Sequence, residues 1–268
     1  MICLTSNPKY SVRVAKVAAE EVPCFETYWQ STKGTWEMLH FYVMIIRGNG
    51  ITALVNTGPP RNPKELAELN EAFRSSYQSG DRGTLIVKDD ERIESVLSRN
   101  NVDPAKVDYV IVSPFQAYAI SNVDLFPNAK ICLSKRGWIN FHAPRFPYGP
   151  RWTEIPDRIL TYLVTNAWDR VRLMEDEDTV TQGIRTFWTG VHHKSSMAVS
   201  VDTAKGTVIF SDAVFKYANV EKDIPLGLSQ NLDDCKQLYQ RLRREPAILV
   251  PAYEPEVLSR HPEGVIVP

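Results

Sequence analysis

The sequence predicts an α/β protein in which two β-sheets pack face to face with helices outside them, a four-layer αββα sandwich. Three observations carry that expectation. Clear strands come early, with helical segments interspersed among them. DYVIVS (Asp108 to Ser113) is a near-continuous apolar strand, which implies cover on both faces. The same alternation of strands and helices then starts again in the second half, the pattern of a layered architecture. No Pro-, Ser- or Gly-rich linker parts the halves, so one domain over residues 1–268 is expected.

Taken in order, SVRVAKVA (Ser11 to Ala18) alternates as a half-buried strand does. FYVMIIRGNGITALVNTG reads as a hairpin turning at Gly48-Asn49-Gly50. A helix follows Pro63, and a second is expected over Asp90 to Arg99. After the apolar strand come another strand, Ala129 to Leu133, and a short helix, Lys135 to Phe141. HAPRFPYGPRW, His142 to Trp152, holds too much proline and glycine for regular structure and reads as a stiffened loop. RTFWTG, MAVSVDT and GTVIFSD are strands, a helix runs from about Leu228 to Arg243, and AILVP is a last buried strand.

The bulk numbers exclude several function classes. With 268 residues, 43% of them hydrophobic, the chain can bury a core that needs no covalent staples. Lys and Arg number 31 against 32 Asp and Glu, so no nucleic-acid partner is expected. The basic run RLRREP closes an amphipathic helix, where cations suit the dipole. Cys3, Cys24, Cys132 and Cys235 form no CxxC pair, which argues against structural zinc and for a reducing compartment. No apolar run approaches the roughly 18 residues of a membrane span, so no membrane partner is expected and the cytoplasm is the default location.

Four segments, in this order and spacing, resemble the metallo-β-lactamase superfamily, and especially its N-acyl homoserine lactonase-like branch, from about Phe41 to Leu258. They are ALVNTG, where the family commonly has Asp-Thr-Gly; VDYVIVSPFQAYAISNVDLFPNAKI, where it has a strand and then Thr-His-x-His-x-Asp-His; FWTGVHHKSSMAVSVDTAKGTVIFSDAVF; and LVPAYEPEVL. The resemblance implies a fold of the metallo-β-lactamase type. It would also imply a dinuclear metal centre generating a hydroxide nucleophile, but the ligand positions have changed. Pro114, Gln116, Tyr118 and Ala119 stand in the His-x-His-x-Asp-His segment, Tyr253 takes the last His position, and Asn56 replaces the Asp of Asp-Thr-Gly. Only His192 and Asp212 remain as good donors, with His193 beside the first, and two donors will not hold two metals. No metal and no cofactor are expected, although a rebuilt mononuclear site using His192, Asp212 and either His193 or His40 stays open.

Groups that share a metal in the family sit about 3 to 3.5 Å apart. Without the metal, Asp212 is expected to hydrogen-bond His192 and orient it as a general base. Tyr118, Tyr253 and Gln116 are expected to donate to a developing oxyanion. In the 142–152 loop, Phe146, Tyr148 and Trp152 offer rings, while Arg145 and Arg151 offer cations for a carboxylate. Together with His193 they are the expected substrate-binding residues. The same loop suits a partner interface equally well. The expected function is therefore a metal-independent enzyme acting on a small lactone, amide or other carbonyl-containing metabolite, by hydrolysis, ring opening or proton transfer beside the carbonyl. The alternative is a non-catalytic structural or regulatory subunit, or a small-molecule-binding pseudoenzyme, as a homo-oligomer or paired with an active relative.

Overall fold

The computed structural model describes residues 9–31, 34–77, 82–146 and 149–268. Its first strand, β1 (Ser11–Pro23), pairs antiparallel with β2 (Trp36–Gly48) from Ser11↔Arg47 to Pro23↔Trp36, with an irregularity between Lys16 and Ala18. The sequence expectation ended this strand at Ala18. Pairing runs five residues further, because Val17 to Glu20 are covered on both faces and the apolar–polar alternation fades while the ladder continues. β2 turns into β3 (Ile51–Val55) through Asn49 and Gly50, both at positive φ (52° and 74°), as a tight hairpin of this length requires.

β4 (Tyr109–Ile111), β5 (Lys130–Ser134) and β6 (Val171–Met174) add in parallel to β3. β7 (Glu177–Thr181), β8 (Ile184–Trp188), β9 (Met197–Thr203), β10 (Gly206–Ser211) and β11 (Ala247–Pro251) follow, and β12 (Val265–Val267) returns to β1. Among the described residues these make a seven-stranded sheet, β12-β1-β2-β3-β4-β5-β6, and a five-stranded sheet, β11-β10-β9-β8-β7. The helices are α1 (Cys24–Thr27), α2 (Pro63–Tyr77), α3 (Ile93–Arg99), α4 (Ala117–Ile120), α5 (Lys135–His142), α6 (Asp157–Thr165), α7 (Tyr217–Glu221), α8 (Leu232–Arg244) and α9 (Val257–Arg260). With them the sheets form the expected αββα sandwich.

Polar stitches tie the sheets where the apolar core ends. Met197 N donates to Ser113 Oγ (2.8 Å), and Phe115 N donates to Ser195 Oγ (2.9 Å), each bond joining the end of β4 to the start of β9. α8 begins at Leu232, later than the sequence suggested, because the Asn231 side chain accepts from Asp233 N and Asp234 N and sets the cap there. Its basic end is spent on ion pairs: Arg241 meets Glu245 and Glu177, and Arg243 meets Asp223. α6, β6 and β7 were not among the expected elements; β6 and β7 form the outer edges of the two sheets. Cys24, Cys132 and Cys235 are buried free thiols, and Cys3 lies outside the described residues. No helix among the described residues is long and apolar enough to cross a membrane.

The parallel strands β3 to β6 end on one edge of the sandwich. Asn56 follows β3, Ser113 follows β4, Asp212 follows β10 and Tyr253 follows β11, while His192 lies in the turn between β8 and β9. A fold-wide consequence of strand direction thus gathers residues from distant parts of the chain at one place.

Candidate active site

Asn56 fixes the floor of this edge. It sits at φ 65°, a left-handed conformation that Asn tolerates better than most residues. Its N–H donates to Ile111 O (2.8 Å), and its Oδ1 accepts from Ser113 N (2.9 Å). The amide therefore joins the ends of β3 and β4 and sets the direction of the turn that carries Gln116 and Tyr118.

Asp212 is fully buried below that turn. Its carboxylate accepts from Ser113 Oγ (2.9 Å, on Oδ1) and from Ser196 Oγ (2.5 Å, on Oδ2). Ser113 Oγ also lies 2.7 Å from Met197 O, so its single proton serves one acceptor at a time. His192 Nδ1 stands 3.5 Å from Asp212 Oδ2 and has no hydrogen-bond partner. The imidazole and the carboxylate are thus brought together, but the hydrogen bond expected between them is not made. Ser196 holds the shared oxygen instead, and neither serine was singled out in the sequence. The available signal was position: Ser113 closes the apolar DYVIVS strand, and Ser195-Ser196 sit just before β9.

Aromatic rings crowd around His192 at this edge. Tyr118 and Tyr253 bring their hydroxyls within 3.1 Å of each other. Phe41 packs edge-on against both (centroids 4.9 and 5.1 Å), and Phe215 packs against Tyr253 (4.6 Å) and His192 (4.8 Å). Burial pushes both phenols well above their ordinary pKa. His193 lies on His192 at 3.9 Å, and burial together with that neighbour holds its pKa well below the usual imidazole range. The side-chain amide of Gln116 makes no hydrogen bond to a described residue.

Two chambers meet here. The inner one, about 150 Å³, is lined by Tyr118, Tyr253, Phe215 and Phe41, and also by Glu20 and Glu26, which the sequence reading passed over. The outer one, about 760 Å³, is lined by Arg145, Phe146, Glu154, Lys194, Ser195 and Gln230 among others. Gln116, His192, His193 and Leu228 line both and form the neck. α5 approaches the outer chamber so closely that a Cβ on Gly137 would lie 2.5 Å from Ser195 Cα.

Of the loop residues expected to bind substrate, Arg145 and Phe146 therefore reach the outer chamber, with the guanidinium 5.4 Å from the Phe146 ring centre. Arg151 and Trp152 do not line it. Arg151 lies over the Phe141 ring (4.8 Å), and Trp152 packs against the core. Tyr148 lies outside the described residues.

The donor set does not fit a dinuclear metal centre. Pro114 and Ala119 have no side-chain ligand atom, and Tyr118 and Tyr253 are held in the protonated form, which coordinates poorly. Asp212 is engaged by two hydroxyls. Among the described residues no group of three or more His, Cys, Asp and Glu is placed to hold an ion. His40, the remaining candidate for a rebuilt site, lies on β2 and lines neither chamber; burial and Lys16 lower its pKa to about 4.

No protein-family model and no curated protein matches the chain. Solved structures do. A quorum-quenching N-acyl homoserine lactone lactonase superposes with a TM-score of 0.71 at 16% identity, covering 94% of this chain and 95% of that one. An N-acyl homoserine lactone hydrolase with N-hexanoyl-L-homoserine bound at its catalytic metal centre gives 0.73 at 16% identity, over 95% and 97%. A probable metal-dependent hydrolase from Staphylococcus aureus gives 0.69 at 12% identity, over 93% and 91%. At these identities the likeness speaks for the fold, and the chain has the metallo-β-lactamase fold of the N-acyl homoserine lactonases.

Proposed function

We propose that this chain hydrolyses a small lactone, amide or related carbonyl compound in the two-chamber pocket, with His192 as the base and no resident metal. The observation that carries the reading is the His192 imidazole at the neck between the chambers, its Nδ1 3.5 Å from the buried Asp212 carboxylate. The hydrolases that share the fold supply the reaction class as an analogy.

Electrostatics place the imidazole proton on Nδ1, facing the carboxylate, and leave Nε2 basic. Nε2 takes a proton from a water as its oxygen bonds to the carbonyl carbon. The carbonyl oxygen becomes an oxyanion. In the Tyr118–Tyr253 pair one hydroxyl donates to the other, so the accepting phenol keeps its own proton for that oxyanion. The Gln116 amide is the second donor at the neck. When the tetrahedral centre collapses, the C–O or C–N bond breaks and the leaving atom takes the proton back from His192. Asp212, itself held by Ser113 and Ser196, positions the ring throughout.

Turnover of a panel of lactones, amides and activated esters, compared between wild type and His192→Ala, tests the reading. At least one substrate should be hydrolysed, with a loss of about 10²- to 10⁴-fold in the variant. Activity untouched by the substitution would refute it.

One observation favours the second reading, a non-catalytic ligand-binding protein. The phenols bond each other, Phe41 packs edge-on against both, and Phe215 packs edge-on against Tyr253, so apolar rings crowd the inner chamber. Saturable ligand binding without turnover across the panel would select it.

A further inference from the structure

Two carboxyl groups line the inner chamber with no cation paired to them among the described residues. In β1, Glu20 pairs with Leu39 and Ala18 with Phe41, so Glu20 shares the inward face with Phe41, while Glu21 turns outward to Arg82 at 3.3 Å. Glu20 is 4% exposed, and its Oε1 has no hydrogen-bond partner. Glu26, on α1, is also buried and accepts from Tyr77 Oη (3.0 Å). Among the described residues no Lys, Arg or His forms an ion pair with either. Six aromatic rings complete the walls: Phe41, Phe73, Tyr77, Tyr118, Phe215 and Tyr253.

An orphaned buried carboxyl costs free energy that a non-polar residue would not, so its place calls for a partner. Ring faces attract cations and repel anions. One water takes roughly 30 Å³ of liquid, so a chamber of about 150 Å³ has room for a small head group and not for a whole metabolite. The electrostatics, the walls and the size converge on one chemistry.

We propose that the inner chamber binds the ammonium group of a small organic cation, held between Glu20, Glu26 and the surrounding ring faces. Where the proposed hydrolysis also holds, on which this extension rests, the substrate is a carbonyl compound bearing a cationic head. The head enters the inner chamber, and the scissile carbonyl stays at the neck beside His192.

Burial raises Glu20 to about 8, with Glu26 contributing, and raises Glu26 to about 7 against the Tyr77 hydrogen bond. The other titratable groups facing Glu20 are Tyr77, Tyr118, Tyr253, His192 and His193. At neutral pH Glu20 is therefore largely protonated and Glu26 shares its proton with solvent, so an entering cation displaces a proton from the Glu20–Glu26 pair.

Calorimetric titration with choline, a permanent cation, and with its neutral carbon isostere 3,3-dimethylbutan-1-ol tests this at constant ionic strength. Wild type should bind choline saturably at pH 8.5 and the isostere at least tenfold more weakly. Choline affinity should rise by up to tenfold per pH unit between pH 6 and 8, with about one proton released per ligand. Glu20→Gln and Glu26→Gln, each checked for native circular dichroism, should each weaken choline binding at least tenfold. No saturable binding to wild type, equal affinity for the isostere, or unchanged affinity in both variants would overturn the proposal. The titration needs no turnover, so an inactive protein that binds choline sinks the hydrolase reading alone.

Discussion

Replacing Glu20 by Gln should change how the ligand-free protein responds to pH. Burial carries this carboxyl from 4.5 to about 8. Between those values the folded protein keeps a proton that the unfolded chain releases. The stabilisation is complete below pH 4.5, declines as pH rises, and is gone above about 8. The displacement corresponds to a ceiling of roughly 4–5 kcal/mol; with some relaxation on ionisation, about 3 kcal/mol is the expected size. Gln cannot ionise, so its pH response loses that component and keeps the part due to Glu26. Urea denaturation of both proteins at pH 5, 7 and 9 measures it. Wild type should lose about 3 kcal/mol more than Glu20→Gln from pH 5 to pH 9, equivalent to roughly 6–12 °C in Tm for a chain of this class. The variant's absolute stability at pH 5 is not the criterion, because the amide must find its own partners. Parallel stability profiles for the two proteins would refute the reasoning.

Ser113→Ala should destabilise the fold by about 1–3 kcal/mol in urea denaturation, since it removes a donor from buried Asp212 and the acceptor for Met197 N. A loss under 0.5 kcal/mol would show that the hydroxyl is replaceable there. Gly137→Ala should cost about 1–3 kcal/mol through overpacking, because its Cβ would meet Ser195 Cα and Cβ at 2.5 Å. Differential scanning calorimetry reads the shift, and an unchanged Tm would mean that α5 moves away freely.

The sandwich was legible because its central strands carry strong periods: the β2–β3 hairpin, the apolar β4 and the strands β8 to β11 all exist as expected, although β2 starts five residues before Phe41, at Trp36, and β4 is confined to Tyr109–Ile111. Among the elements that were missed, β6 and β7 are edge strands, which need less apolar surface than the middle of a sheet, and β12, α1, α4, α7 and α9 are too short to show a period. At the site, the resemblance to the family's ligand pattern, with His192 and Asp212 kept and Tyr118 and Tyr253 as replacements, pointed to these four as neighbours, and the structure brings them together. What those groups do to one another was not legible. Whether an imidazole reaches a carboxylate depends on which hydroxyl arrives first, and Ser196 lies on a loop whose path no period encodes. Glu20 does leave a trace in the sequence: two consecutive glutamates in a strand must point to opposite faces, so one of them faces inward. Arg151 and Trp152 were misplaced for the converse reason, since a stiffened loop leaves open which of its rings and cations turn toward the chamber.

Metal-free catalysis by His192 is tested by hydrolytic activity and metal content of the protein after exhaustive chelation, beside His192→Ala. The protein should hold less than one equivalent of bound transition metal, its activity on the best substrate of the panel should be unchanged by the chelator, and that activity should be lost with the imidazole. Activity that vanished on chelation and returned with zinc, iron or manganese would contradict it.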